Sequence, residues 1–202
     1  MGRLDGKVAI VTGAFPSPSQ TPPYERLPTN PLSGAGSGFG AGIAQRYAAE
    51  GARVLVCDIN ESTARTTASH RPTHLHAHRM DVTSRSDWAA AVAACLEKWG
   101  RCDILVNNAG WSYTNKPTAD VTDEEFERVF DVNVKGVYLG CQAWVGQAME
   151  RNEGGVIVNI ASVGATRPRP GLVWYNASKG AVWNVRPEHP SSVCLMQCGW
   201  AG

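Results

Sequence analysis

Residues 7–14, KVAIVTGA, and residues 36–58, GSGFGAGIAQRYAAEGARVLVCD, decide the fold of this chain. The first stretch is a short β-branched apolar run that ends in a glycine turn. The second joins a helix-forming segment, 40–50, to another apolar run at 53–58. Strand, glycine-rich turn, helix and strand in this order are typical of one βαβ unit. We therefore expect a parallel sheet that starts with these two strands.

The same alternation continues along the chain. Apolar runs predict further strands at 75–80, 103–107 and 155–161. Helices are predicted at 61–69, at 85–99 and after Thr122, and a further helical stretch is predicted to run to about 151. Ser84 and Thr122 are the candidate N-caps, with Glu125 at the capping-box position after Thr122. Short apolar strands separated by helices predict an α/β fold with a mostly parallel sheet covered on both faces.

Two stretches lack this pattern. Six of the twelve prolines lie within 15–35, where no hydrophobic period is found, so we expect an irregular proline-rich insert there. The end of the chain, 185–202, shows neither helical nor alternating periodicity and is expected to be a divergent, unstructured tail. The predicted domain therefore covers 1–184 with the insert inside it.

Composition and charge limit the classes of partner. The 202 residues are 43% hydrophobic and carry a formal net charge of +1, which is not the electrostatic pattern of a nucleic-acid or acidic-membrane binder. No apolar run approaches the roughly 20 residues needed to span a bilayer, and the polar N-terminus does not resemble a signal peptide. We expect a cytoplasmic protein whose partners are small molecules.

The glycine loop indicates nucleotide binding. When the insert is left out, Gly13 and the run 36–40 form one glycine-rich turn. Such a turn lets a pyrophosphate approach a helix N-terminus. Asp58 ends the second strand, where a carboxylate can accept hydrogen bonds from the adenosine ribose and repel a 2′-phosphate. NAD is therefore favoured, and NADP stays possible. The alternative is that Asp58 only caps the helix that follows it.

Six motifs in order resemble the short-chain dehydrogenase/reductase family. They are the split T-G-x-x-x-G-x-G, Asp81-Val82, N-N-A-G at 107–110, Asn133 in N-V-K-G, Ser162, and Y-N-A-S-K at 175–179. The resemblance covers residues 3 to about 184 apart from the insert. It implies a Rossmann-like, doubly wound three-layer αβα sheet from which the family's C-terminal strands are missing.

The resemblance also implies the residues of the site. The implied catalytic set is Asn133, Ser162, Tyr175 and Lys179. The implied cofactor contacts, together with those of the glycine loop, are Gly13, Ser37, Gly38, Gly40, Asp58, Asp81, Val82, Asn108, Ala109, Gly110, Tyr175 and Lys179. No metal is expected, since the histidines of 70–78 have mixed spacing and the implied chemistry needs none.

These residue types suit a hydride transfer between a secondary alcohol and a ketone, in which a proton must leave or join the oxygen while the cofactor carries the hydride. The pKa of free tyrosine is about 10, so a nearby cation is needed to favour phenolate. Lys179 follows Tyr175 by one helical turn and lies on the same face. Ser162 can hold the substrate oxygen, and Asn133 can support a water chain through Lys179.

The departures from the family pattern keep a second interpretation open. The insert separates glycines that must meet at one pyrophosphate, so either it bulges outward or the nucleotide site is broken. A translated intron over 13–34 is a separate hypothesis for its origin. The tail matches nothing in the family and also suggests a mis-spliced gene. The chain is thus expected to be an oxidoreductase, or alternatively a non-catalytic nucleotide-binding fragment or pseudo-enzyme. The family's homo-oligomeric assembly is doubtful for this sequence.

Overall fold

The computed structural model describes residues 2–13, 38–150, 154–185 and 194–196. The strands are β1 (Val8–Thr12), β2 (Arg53–Asp58), β3 (Leu75–Arg79), β4 (Ile104–Asn107), β5 (Val156–Ile160) and β6 (Cys194–Met196). The helices are α1 (Phe39–Ala49), α2 (Glu61–Ser69), α3 (Arg85–Trp99), α4 (Asp123–Phe130), α5 (Gly136–Glu150) and α6 (Val173–Trp183). The predicted strands and helices up to residue 184 are confirmed to within one or two residues at most ends.

The six strands form one sheet in the order β3-β2-β1-β4-β5-β6, and every neighbouring pair is parallel. In this order the chain moves outward from β1 to β3 and then returns to the other side of β1 through β4. The predicted Rossmann-like doubly wound α/β fold is therefore confirmed. The reversal between β1 and β4 is the position where such sheets open a crevice at the carboxyl ends of their strands.

The two faces of the sheet are covered by helices of different composition. Val8 and Ile10 face α3 and α5, which contribute the fully buried indoles of Trp88 and Trp144. The alternate residues of β1 face α1 and α2, whose buried surface is mostly alanine: Ala44, Ala48, Ala64 and Ala68. Small side chains let α1 and α2 approach the sheet closely, which matters because α1 begins at the glycine loop.

Local signals set the helix ends as predicted. Ser84 accepts a hydrogen bond from the Asp87 amide at the start of α3, and Thr122 with Glu125 forms a complete capping box on α4. The helix predicted after Thr122 and the further helical stretch to about 151 are joined by a turn that was not predicted. A π-helical turn, Asp131–Lys135, separates α4 from α5 and carries Asn133. Such turns hold one more residue than an α-helical turn and occur frequently at functional sites.

The end of the chain differs from the prediction at three residues. Cys194–Met196 form β6, which pairs in parallel with β5 from Val158 to Ile160. The expectation of an unstructured tail is wrong for these residues, and so is the expectation of no strand beyond β5. The proline-rich insert at 15–35 lies outside the described residues. Within the described ranges, no helix has the length and apolar character that a bilayer crossing requires.

Candidate active site

The polar residues singled out in the sequence lie along the carboxyl edge of the sheet. Thr12 ends β1, Asp58 ends β2, Asn108 follows β4, and Ser162 lies two residues beyond β5. In a parallel sheet all these strand ends point to the same edge, where the loops that follow them form one crevice. The candidate site therefore begins at the reversal between β1 and β4 and extends to β5.

Gly13, Gly38 and Gly40 form what we call the glycine cradle. Gly13 has a φ of 66° and Gly38, the N-cap of α1, has a φ of 108°, both in the left-handed region that favours glycine. A Cβ built on Gly40 would lie 2.5 Å from the carbonyl oxygen of Gly13. Gly13 and Gly40 therefore meet across the insert, as nucleotide binding requires, whereas Ser37 lies outside the described residues.

Asn108 holds the cradle to β4. Its side-chain nitrogen donates to the carbonyl oxygens of Thr12 at 2.9 Å and Gly13 at 3.0 Å. The Thr12 hydroxyl accepts from the amides of Asn108 and Ala109, each at 3.1 Å, and donates to the Val106 carbonyl oxygen. A Cβ on Gly13 would lie 2.7 Å from the Cα of Ala109. Close backbone contact and buried hydrogen bonds thus bring together three predicted cofactor residues, Gly13, Asn108 and Ala109.

Asp58 is 8% exposed at the end of β2. Its Oδ1 accepts from the amide of Asn60 at 2.9 Å, and burial raises the pKa of its carboxyl group above the ordinary value. The N-cap of α2 is Asn60, whose side chain accepts from the Ser62 amide. Asn60, and not Asp58, is therefore the N-cap residue of α2, while the Asp58 carboxyl bonds to the residues just before that helix at the end of β2.

Asp81 and Val82 lie in the turn between β3 and α3. The Asp81 carboxylate accepts from the amide and the hydroxyl of Thr83, both at 2.8 Å. The Val82 carbonyl oxygen accepts from the indole of Trp88, and its side chain packs against Gly136 at the start of α5. Both residues therefore have structural contacts of their own at the predicted adenine end of the crevice.

Asn133 is fully buried in the π-helical turn. Its Oδ1 accepts from the Trp111 amide at 2.7 Å, and its Nδ2 donates to the Trp111 carbonyl oxygen at 3.0 Å. The same Nδ2 donates to the Ser178 hydroxyl of α6 at 2.9 Å. One amide side chain thus joins the loop after N-N-A-G to the helix that carries Tyr175 and Lys179.

Lys179 is 5% exposed, and its Nζ donates to the carbonyl oxygen of Ile160, the last residue of β5, at 2.8 Å. A Cβ on Gly110 would lie 3.3 Å from this Nζ and 3.4 Å from Oδ1 of Asn133. The absence of a side chain at Gly110 is what lets the ammonium and the amide approach the same point. Of the predicted catalytic set, Asn133 and Lys179 therefore converge at Gly110.

Ser162 and Tyr175 complete the predicted set. The half-buried Ser162 is the N-cap of a short 3₁₀ turn, and its hydroxyl accepts from the Gly164 amide at 3.1 Å. Tyr175, also half-buried, is the third residue of α6 and lies one turn before Lys179. All four predicted residues thus come from three segments that meet at the carboxyl end of β5: the π-helical turn, the loop after β5 and the first turns of α6.

Several residues of this region were missed or differently interpreted from the sequence. Trp111 and Tyr113 are 6% and 4% exposed and pack with Val129 in an apolar cluster. The Tyr113 hydroxyl accepts from the Trp174 amide at 3.1 Å. Ser178 lies inside the Y-N-A-S-K motif and so had a signal, whereas nothing in the sequence indicated that the Tyr113 hydroxyl binds the start of α6.

The histidine-rich stretch serves no recognisable site in this structure. His76 stacks on Trp99 with ring centroids 5.2 Å apart. Across the residues that the structure describes, no group of three His, Cys, Asp or Glu side chains is arranged to hold a metal ion.

Comparison with known proteins gives a consistent result. Residues 32–186 match the family model described as short chain dehydrogenase. The 4-formylbenzenesulfonate dehydrogenase of Comamonas testosteroni is 41% identical over 157 residues, 76% of this chain and 62% of that protein. The galactitol 2-dehydrogenase of Agrobacterium fabrum is 39% identical over 197 residues, 98% of this chain and 68% of that protein.

Two solved structures are similar in sequence and in fold. The 3-ketoacyl-(acyl-carrier-protein) reductase of Brucella melitensis, complexed with NADH, is 40% identical, with a TM-score of 0.74 over 89% of this chain and 66% of that one. A short chain dehydrogenase/reductase of Burkholderia phymatum, in complex with NAD, is 28% identical, with a TM-score of 0.80 over 99% of this chain and 68% of that one. The chain thus spans about two thirds of the length of the proteins it matches.

Proposed function

Because the chain belongs to the short chain dehydrogenase family, we propose that it is an NAD(P)-dependent oxidoreductase that interconverts a secondary alcohol and a ketone. The observation that carries this proposal is the convergence of Asn133 and Lys179 at Gly110, one helical turn from Tyr175. The two relatives are named as dehydrogenases, and in this chain buried hydrogen bonds hold Asn133 and Lys179 in place.

A nicotinamide dinucleotide fits the crevice. Gly13, Gly38 and Gly40 carry no side chains where a pyrophosphate would approach the N-terminus of α1, and Gly13 and Gly40 are so close that a Cβ on Gly40 would meet the Gly13 carbonyl oxygen. When bound, this cofactor would accept or supply the hydride. The residues that would hold it are Gly13, Ser37, Gly38, Gly40, Asp58, Asp81, Val82, Asn108, Ala109, Gly110, Tyr175 and Lys179.

Asp58 favours NAD over NADP in this proposal. A buried carboxylate accepts hydrogen bonds from ribose hydroxyls more strongly than a neutral group does. It also disfavours a second negative charge, which the 2′-phosphate of NADP would bring to the end of β2. The Brucella melitensis and Burkholderia phymatum structures were solved with NADH and NAD, which supports a nicotinamide cofactor.

Tyr175 is proposed as the acid/base. Its phenol gives a proton to the substrate oxygen in reduction and takes it back in oxidation, and the Lys179 ammonium favours the phenolate form. The Ile160 carbonyl oxygen, 2.8 Å from Nζ, fixes the position of that ammonium. Ser162 offers its hydroxyl to the substrate oxygen. These roles need only a proton donor, a cation and an orienting hydroxyl within one crevice.

Asn133 is proposed to support the proton relay through Lys179 by holding the local structure. Both hydrogens of its amide are donated to Trp111 and Ser178, and its oxygen accepts from the Trp111 amide. Its side chain therefore fixes the distance between the loop after β4 and α6. The relay then passes through the space beside Gly110, where Lys179 lies.

The test uses the purified full chain. Titration with NADH and NADPH, followed by nicotinamide fluorescence, should show saturable binding with NADH preferred. Galactitol, cyclopentanol and other secondary alcohols are then assayed for NAD reduction. Tyr175→Phe should abolish turnover and keep NADH binding, while Tyr138→Phe, the same change at a half-exposed tyrosine of α5, should alter neither.

The alternatives give distinct results. Saturable NADH binding without turnover on any alcohol or ketone would support the non-catalytic nucleotide-binding interpretation. Turnover that survives in Tyr175→Phe would contradict the assigned acid/base.

A further inference from the structure

The helix that carries Tyr175 lacks the usual means of satisfying its first amides. The N-cap of α6 is Leu172, an apolar side chain that cannot accept a hydrogen bond. The amide of Trp174, in the first turn, instead donates to the hydroxyl of Tyr113 at 3.1 Å. A residue distant in sequence therefore supplies the cap that α6 cannot supply for itself.

The hydroxyl of Tyr113 is held in place by the packing of its ring. Tyr113 is 4% exposed and packs in the apolar cluster with Trp111 and Leu172. The ring of Phe126 meets the edge of Trp174 at a centroid distance of 5.1 Å, which closes the cluster on the α4 side. Because these rings are held on several sides, the hydroxyl of Tyr113 has a defined position relative to the start of α6.

A second contact holds α6 one turn further on. Asn133 donates to the Ser178 hydroxyl, which in turn donates to the Tyr175 carbonyl oxygen at 2.7 Å. The two held residues, Trp174 and Ser178, directly precede Tyr175 and Lys179. Both contacts originate from the segment after β4, since Asn133 is itself bound to the backbone of Trp111. The helix is thus fixed at two points on the side of the crevice.

We propose that Tyr113 is a positioning residue, whose hydroxyl fixes the first turn of α6 and thereby places the phenol of Tyr175 relative to Lys179 and the reacting oxygen. This inference rests on the proposed function for its catalytic meaning. The contact itself acts on the helix whether or not a substrate is present. Without the hydroxyl the Trp174 amide in the first turn of α6 loses this partner, and helix ends that lose a capping contact fray.

The experiment removes one oxygen atom. Tyr113→Phe keeps the ring in the apolar cluster, so the fold should be retained, and Tyr138→Phe is the matched control on α5. The sequence has five tyrosines, so carbon-13 labelling of the tyrosine Cζ atoms gives five resonances, which single substitutions assign. The titration midpoint of Tyr175 is then measured directly, without any turnover.

In Tyr113→Phe we expect the pKa of Tyr175 to rise by about 0.5 to 1 unit, because the phenol moves away from the Lys179 ammonium. The kcat should fall by about threefold to tenfold, the loss of one hydrogen bond, while KM for NADH stays within about twofold. Amide exchange of the peptide that covers the start of α6 should become faster. Tyr138→Phe should change none of these.

An unchanged Tyr175 titration in Tyr113→Phe would overturn the proposal. If amide exchange at the start of α6 became faster while that titration stayed the same, the hydroxyl would cap the helix without positioning the phenol. If the parent chain has no turnover at all, the proposed function fails, and the titration still decides the role of Tyr113.

Discussion

The glycine cradle and helix α6 lie at the same edge of the sheet but are built by opposite means. In the cradle, backbones meet because side chains are missing: a Cβ on Gly40 would lie 2.5 Å from the Gly13 carbonyl oxygen. Helix α6 is held by side chains that are present and buried, namely those of Asn133 and Tyr113. The cradle therefore has no room for an added side-chain atom, whereas α6 should lose stability gradually as its hydrogen bonds are removed one by one.

The largest effect is expected where side-chain contacts are most numerous. Asn133→Ala removes three buried hydrogen bonds and leaves the amide and carbonyl of Trp111 without their partner. We expect the free energy of unfolding to fall by about 3 kcal/mol, since each lost bond contributes about 1 kcal/mol. Urea denaturation followed by circular dichroism measures this loss.

The control for Asn133 is Asn184→Ala at the C-terminal end of α6. Asn184 is exposed, and its side chain donates one hydrogen bond to the Gly180 carbonyl oxygen. A change of less than about 0.5 kcal/mol is expected there. Equal losses in the two variants would show that burial of the amide contributes nothing to holding α6.

The cradle is tested by adding one methyl group. In Gly40→Ala the new Cβ would enter the hydrogen bond between Asn108 Nδ2 and the Gly13 carbonyl oxygen, at 2.6 and 2.5 Å from those atoms. The Gly13 oxygen belongs to the backbone, and the buried Asn108 side chain is held by two hydrogen bonds. The backbone must therefore shift, and we expect NADH affinity to fall about a hundredfold, or about 2.7 kcal/mol. Fluorescence titration measures the dissociation constant.

Gly42→Ala is the matched control in the same helix. No atom of the described residues lies within 4 Å of a Cβ built on Gly42, so the methyl group points into open space. Alanine in a helix interior is more stable than glycine by about 0.5 to 1 kcal/mol. The melting temperature should rise slightly and NADH affinity should stay the same; a loss of affinity would contradict the steric account of the cradle.

The charge of Asp58 can be tested for its effect on NADH affinity and on the stability of the chain. Asp58→Asn should reduce NADH affinity about tenfold, because a charged acceptor is replaced by a neutral one. It should also stabilise the cofactor-free chain. Burial raises the pKa of the Asp58 carboxyl in the folded state, so its favourable contribution is present at low pH and is lost as the pH rises through that raised value.

The melting temperatures of parent and Asp58→Asn should therefore be close at pH 4 and diverge toward pH 7, with the variant more stable. Asp120→Asn, at an exposed aspartate, should show no such divergence. A constant difference between parent and Asp58→Asn across this range would mean that burial of the carboxylate carries no cost.

The smallest effect is expected from deleting 15–35. Gly13 and Gly40 already meet in the presence of the insert, so its removal should change NADH affinity by less than about threefold. The shorter connection should stabilise the chain, since loop-closure entropy grows with length. Binding that appears only after the deletion would show that the insert blocks the crevice, and would favour a mis-spliced origin.

The sequence predicted the sheet well because its strands are short β-branched runs between helices, and β2 and α3 were predicted with the same bounds that the structure has. Caps at Ser84 and Thr122 were predictable because a cap is a local arrangement of a few residues. The strand Cys194–Met196 was not, because three residues carry no periodicity, and their pairing with β5 is a tertiary event.

The site was predictable in its residues more than in its contacts. Glycine spacing and the Y-N-A-S-K motif indicated which residues to examine, but the motif alone does not say that Asn133 bonds to Ser178. The contact of Tyr113 with α6 had no signal, because its hydroxyl accepts from the amide of a residue 61 positions later in the chain. Contacts of this kind depend on how the loops pack, which neither periodicity nor composition encodes.

The π-helical turn at Asp131–Lys135 is an arrangement that the insertion of one residue into an α-helix can produce. One residue more than an α-helical turn advances everything after it by about 100° around the helix axis. Because of this rotation, the side chains before and after the turn point in different directions. Asn133 bonds to the loop at Trp111, while Trp144 is buried against the sheet. A single inserted codon is enough to produce such an offset. Its removal would restore an ideal helix and aim one of those two side chains in the wrong direction.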